Sequence, residues 1–131
     1  MRRTVLFVCV GNSCRSQIAE SIFNDLARGR RWKARSAGTK PADEVDRNAV
    51  KALKEIGLNP NSRPKLLTAE LASKASLVIT MGCIDDCPYV PGKSMIEWEI
   101  EDPKGMGIEE YRAVRDELHD RIKSLLSSDL D

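Results

Sequence analysis

The residues best suited to chemistry lie together in Cys9-Val10-Gly11-Asn12-Ser13-Cys14-Arg15-Ser16. An apolar run, Val5-Leu6-Phe7-Val8, precedes this octet and a helical pattern follows it, so it reads as a strand-to-helix turn. Such a turn aims consecutive backbone N–H groups into one concavity, and the positive end of the helix dipole adds to them. A tetrahedral oxyanion suits that concavity, with Val10, Gly11, Asn12, Ser13, Cys14, Arg15 and Ser16 around it and the planar fork of Arg15 offering paired donors. Cys9, at the strand end, faces the same concavity. Its thiolate is favoured there, as for cysteines at helix N-termini near cations, and the Ser16 hydroxyl is placed to donate to the sulfur. The plainer alternative makes Cys9 a small buried hydrophobe and Arg15 a solvated helix start. The Gly-Asn-Ser interior and Ser16 argue against it.

The elements that position these residues must come from one domain, residues 1–131. Lys and Arg number 21 against 20 acidic residues, a net charge of +1, so neither nucleic acid nor a membrane surface is an expected partner. The longest apolar run near the N-terminus is a strand's length, so no targeting or spanning segment is expected and the location expected is cytoplasmic. Four cysteines, Cys9, Cys14, Cys83 and Cys87, are then catalytic or metal-binding rather than a disulfide scaffold. As zinc ligands their spacings are tolerable, but Arg15 would adjoin the metal and the Gly-Asn-Ser loop would have no purpose.

Ile18, Ile22, Phe23 and Leu26 share a helical face, stopped by Gly29, and Trp32 to Ala37 is placed to return as a parallel strand ended by Gly38. A second helix is expected from about Asp46, with Ala49, Val50, Leu53 and Ile56 on one face and Gly57 as its cap. A loop rich in Pro and Asn follows, then a short helix capped by Thr68 and running to about Lys74. Leu77 to Met81 is a buried strand leading into Gly82-Cys83-Ile84-Asp85-Asp86-Cys87-Pro88, whose terminal Gly and Pro suggest a loop able to change shape. Met95 to Ile100 alternates as a strand with one wet face, and Tyr111, Val114, Leu118, Ile122 and Leu125 form the apolar face of the last helix. This alternation predicts an α/β fold in three layers, with ligands at the carboxyl ends of parallel strands, where Cys9, Cys83 and Asp102 fall. His119 lies off the apolar face and reads as a surface residue.

The octet, Cys, five residues, Arg, Ser, resembles the phosphate-binding loop of the low-molecular-weight protein tyrosine phosphatases, and equally that of the arsenate reductases sharing their fold. The resemblance covers nearly the whole chain and implies a four-stranded parallel sheet flanked by helices. It also implies that Asp102, in Asp102-Pro103, is the general acid that an oxygen leaving group requires. Phosphatases of this fold typically follow that pair with two tyrosines flanking an aromatic substrate, whereas Lys104-Gly105 stand here. Cys83 and Cys87 have no task in phosphate ester hydrolysis. Reduction of As(V) to As(III) needs two electrons, which two thiols supply on becoming a disulfide.

The stretches Thr80 to Pro88 and Glu101 to Gly105 resemble the thiol-dependent arsenate reductases. That resemblance implies arsenate as substrate, phosphate or sulfate as competing oxyanions, and a relay. In the relay Cys83 attacks Cys9, Cys87 resolves the disulfide, and a thioredoxin-like protein restores the thiols. No cofactor is implied. Glu20 and Ser36 match positions where some members bind potassium, but Lys65 stands where those members have an acid, so its ammonium is expected in place of a metal. Cys14 reads as structural, turned into the loop's support, and Asn12 as holding the loop in shape. A phosphatase remains the alternative; an oxyanion sensor would not need Cys9, Asp102 and the cysteine pair together.

Overall fold

The computed structural model describes residues 3–82 and 94–130. Four strands, β1 (Arg3–Cys9), β2 (Trp32–Gly38), β3 (Leu77–Met81) and β4 (Ser94–Trp98), pair in parallel in the order β2-β1-β3-β4. The helices are α1 (Arg15–Leu26), α2 (Arg47–Lys54), α3 (Ala69–Lys74) and α4 (Ile108–Ser124), with a wider helical turn over Leu125–Asp129. The expected three-layer α/β fold with its four-stranded parallel sheet is therefore present.

Alternation along β1 divides the core. Val5, Phe7 and Cys9 face the larger cluster, built with α1, α2 and α4, while Leu6 and Val8 face the smaller one beneath α3 with Val78 and Ala75. Phe7 anchors the larger side, its ring centroid 6.0 Å from those of both Phe23 and Trp98. Buried side chains of this size each contribute about 1.5–3 kcal/mol. Sheet order reverses direction at β1, because β2 lies on one side of it and β3 on the other. Ligands of open α/β sheets bind at such a switch point; Cys9 ends β1 there, and Gly82 follows β3.

The second helix departs from the sequence expectation. It ends at Lys54, and a Schellman turn closes it: Gly57, at φ 80°, donates to the Lys54 carbonyl (3.0 Å), and Leu58 donates to the Leu53 carbonyl (2.9 Å). Gly57 caps as expected. Ile56, lying past the last helical turn, is exposed, and Val50 is only half-buried; the buried face is Ala49, Ala52 and Leu53. The strand expected to reach Ile100 stops at Trp98, although Trp98 and Ile100 are buried and Glu97 and Glu99 exposed, as the alternation required.

The outer edge of β2 is closed by side chains and a loop. The Asn24 amide donates to the Ala34 carbonyl (3.2 Å) and accepts from the Ala34 N–H (2.7 Å). Lys65 Nζ donates to the Ser36 carbonyl (3.0 Å), and Gly38 exchanges backbone hydrogen bonds with Lys65 and Leu67. Among the described residues no helix is long and apolar enough to cross a membrane.

Candidate active site

The loop between β1 and α1 is shaped from behind. The carbonyls of Cys9, Val10, Gly11 and Ser13 accept hydrogen bonds from the N–H groups of Thr39, Lys40, Ala42 and Asp46, at 2.8–3.2 Å. In a trans peptide the N–H points opposite to the C=O, so tying these carbonyls outward turns the N–H groups of Val10, Gly11, Asn12 and Cys14 toward the concavity. Gly38 permits the approach: a Cβ there would lie 2.5 Å from the Val10 carbonyl oxygen and 2.9 Å from the Asn12 nitrogen. Asp46 ties several elements together. Besides reaching Ser13, it caps α2 through Asn48 and accepts from the buried Tyr111 hydroxyl at 2.5 Å. Burial first, and then Asp46, holds the Tyr111 hydroxyl well above its ordinary pKa.

Asn12 takes the left-handed backbone conformation, φ 49°. Its side-chain oxygen accepts from the Lys65 N–H (3.0 Å), and its amide donates to Ser16 Oγ (2.7 Å). Ser16 Oγ lies 2.8 Å from Cys9 Sγ. Because Asn12 fills an acceptor site on that hydroxyl, the Ser16 proton is free to point at the sulfur. Asn12 thus links the loop to the Lys65 backbone, and the Ser16 hydroxyl lies against the Cys9 sulfur.

Arg15 is buried, yet its guanidinium faces the site. Nη1 donates to the Ile100 carbonyl (3.2 Å), Nη2 lies 3.5 Å from Asp102 Oδ2, and Nε has no partner among the described residues. A buried unpaired guanidinium donor is costly, and an oxyanion in the loop would satisfy it. Gly82 forms the wall beyond: it has φ 73°, and a Cβ there would collide with Arg15 Nη1. Gly82→Ala should therefore weaken anion affinity by roughly tenfold or more, read as the inhibition constant of phosphate, since the added methyl displaces the guanidinium. Unchanged affinity would show that Arg15 has room to move.

Asp102 lies across the loop, its side chain 47% exposed, with Oδ1 accepting from the Lys104 N–H at 3.0 Å. Cys14 corrects the sequence expectation. It is buried in the core, but its thiol turns toward the site and donates to Asp102 Oδ1 at 3.6 Å, because the strand-to-helix corner falls at this residue (φ −136°, ψ −73°). Burial, with the nearby Asp102 and Cys9 charges, pushes the Cys14 thiol up to about 12, so it stays protonated and is no rival nucleophile. Cys9, Arg15 and Asp102 thus converge; Cys83 and Cys87 lie outside the described residues. Gly38 and Gly82 escaped sequence reasoning. Only a close approach of backbone or guanidinium marks them.

Behind the loop, Glu20 Oε1 accepts from Ser36 Oγ (2.5 Å) and Ser62 Oγ (3.0 Å), while Lys65 Nζ donates to Ser62 Oγ (2.8 Å) as well as to Ser36. The Lys65 ammonium thus reaches one of the two residues singled out for a cation, Ser36, through its carbonyl, and meets Glu20 only through the shared Ser62 hydroxyl. No group of three or more His, Cys, Asp or Glu among the described residues is placed to hold a metal.

Residues 4–131 match the family described as low molecular weight phosphotyrosine protein phosphatase, and the chain belongs to that family. Within it, one similar relative is the protein named arsenate reductase 2 of Bacillus cereus, 36% identical over 126 residues, covering 93% of this chain and 92% of the relative. A thioredoxin-dependent arsenate reductase of Corynebacterium glutamicum is 39% identical with a TM-score of 0.82, covering 97% of this chain; this chain spans 61% of that one's length. A low molecular weight protein tyrosine phosphatase from T. tengcongensis superposes as well, with a TM-score of 0.84 and 34% identity, over 95% of this chain and 98% of that one.

Proposed function

We propose that the protein is an arsenate reductase working through Cys9, Cys83 and Cys87. One observation carries this reading. Gly82 abuts the Arg15 guanidinium, so the residue that precedes Cys83 in sequence forms part of the anion site's wall. Arsenate binds to the loop N–H groups and Arg15, where phosphate or sulfate would compete. Cys9 attacks arsenic, forming an S–As bond, and Asp102 protonates the departing oxygen. Cys83 then attacks the Cys9 sulfur; the S–As bond breaks with its electron pair remaining on arsenic, which leaves as arsenite. Cys87 attacks Cys83, freeing Cys9, and a thioredoxin-like dithiol reduces the Cys83–Cys87 disulfide. Curated relatives named arsenate reductase and the thioredoxin-dependent structural relative support this reading. Such an enzyme is expected in the cytoplasm.

A second reading, hydrolysis of phosphate esters, draws on the same loop and on the phosphatase relative. Against it, a turn closed by Met106 N–H on the Pro103 carbonyl (2.9 Å) places exposed Lys104 and Gly105 after the acid, where an aromatic wall would be needed. The test is arsenite formation from arsenate with a thioredoxin system, run beside hydrolysis of a small phosphate ester. Ester hydrolysis with no arsenite would reverse the order of the two readings. Asp102→Asn should lower kcat by about 10²-fold or more with KM little changed, as expected of a proton donor used in the transition state. An equal loss in binding would make Asp102 a positioning residue of the loop.

A further inference from the structure

A cavity of about 500 Å³ opens at the outer edge of β2, beside the second half of α1. Arg28, Lys33, Arg35 and Lys65 border it against one carboxylate, Glu20. Glu20 is already engaged by Ser36 and Ser62, and Arg28 pairs with Asp25 at 3.1 Å. Lys33 and Arg35 have no carboxylate partner among the described residues. Burial lowers the Lys65 pKa, Glu20 opposes the shift, and the Arg35 charge adds to it. The wall therefore carries positive potential that the protein leaves uncompensated.

A second observation is independent of charge. Trp32 also borders the cavity with its ring packed in the larger core, and its buried indole N–H has no acceptor among the described residues. The volume lies in the range of small-molecule sites, about 300–1,000 Å³, and is roomy for a halide. Cys9, Arg15 and Asp102 do not line it.

We propose that this cavity is a second anion site, taking a small, multiply charged anion of the phosphate class, such as a phosphate monoester or pyrophosphate. A multiply charged ligand matches the clustered cations, and a tetrahedral oxyanion offers acceptors to ammonium and guanidinium donors together, with the Trp32 ring as a neighbouring wall. The site does not depend on which anion the Cys9 loop processes.

The test follows the ¹⁵N-labelled protein during titration with inorganic pyrophosphate. The Trp32 indole resonance reports the cavity, the Gly11 amide the Cys9 loop, and the Trp98 indole serves as the control. Trp32 should move along its own isotherm, separate from that of Gly11. A Lys33→Gln/Arg35→Gln double variant should weaken the Trp32 isotherm by about tenfold while leaving Gly11 within about twofold and arsenate turnover unchanged. Arg35→Lys, which keeps the charge, should retain binding. A Trp32 resonance that stays still, that only follows Gly11, or that responds unchanged in the double variant would overturn the proposal.

Discussion

Cys9→Ser should abolish arsenate reduction and phosphate ester hydrolysis together, with losses of at least about 10⁴-fold in kcat. A serine hydroxyl keeps its proton near neutrality and is a poor nucleophile, whereas the loop is built around sulfur, with the Ser16 hydroxyl 2.8 Å from it. The substitution is nearly isosteric, and the Asn12 to Ser16 hydrogen bond behind it (2.7 Å) does not involve the thiol. Thermal stability and phosphate affinity should therefore change little. The measurement is turnover with both substrates beside the phosphate dissociation constant. Retention of either activity would take Cys9 out of the chemistry, and loss of phosphate binding would assign the effect to a collapsed loop.

The second large effect separates the two enzyme readings within one protein. Cys83→Ser and Cys87→Ser should each stop multiple-turnover arsenate reduction, while ester hydrolysis, which needs only the loop and Asp102, should survive in both. Their stalled products should differ. Cys87→Ser keeps the first attacking thiol and should release about one arsenite per enzyme, halting as a Cys9–Cys83 disulfide; Cys83→Ser should release almost none. Intact mass and peptide mapping would identify the joined sulfurs. Sustained reductase turnover in both variants would remove the relay and leave ester hydrolysis as the surviving chemistry.

The octet was legible because its chemistry depends on residue type and spacing: thiol, small polar interior, guanidinium, hydroxyl. Alternation in β1 and the apolar face of α4 were legible for a similar reason, since periodicity is a local property. What escaped depends on distant backbone. Gly38 looks like a strand end in sequence; its requirement appears only where the Val10 carbonyl comes within 2.5 Å of a would-be Cβ. The direction of the Cys14 thiol is set by the φ and ψ of the corner, which no composition reveals. Ile56 failed differently. A helical face continued past the true end at Lys54 assigns a core position to a residue already in the capping turn. Strand β4 stopped short of Ile100, whose carbonyl instead accepts from Arg15, so a side-chain contact takes the place of sheet pairing.

Asn24 bears on how the protein would fail in storage as well as how it folds. An open strand edge is a template on which a second molecule adds its own strand, the first step toward fibrils and precipitates. By donating to and accepting from Ala34, the Asn24 amide acts as a one-residue imitation of that missing strand. The Lys65 ammonium on the Ser36 carbonyl adds a charge to the same edge. Protection of this edge is thus carried by the Asn24 and Lys65 side chains, and a substitution at Asn24 would leave the Ala34 backbone groups open to a second molecule's strand.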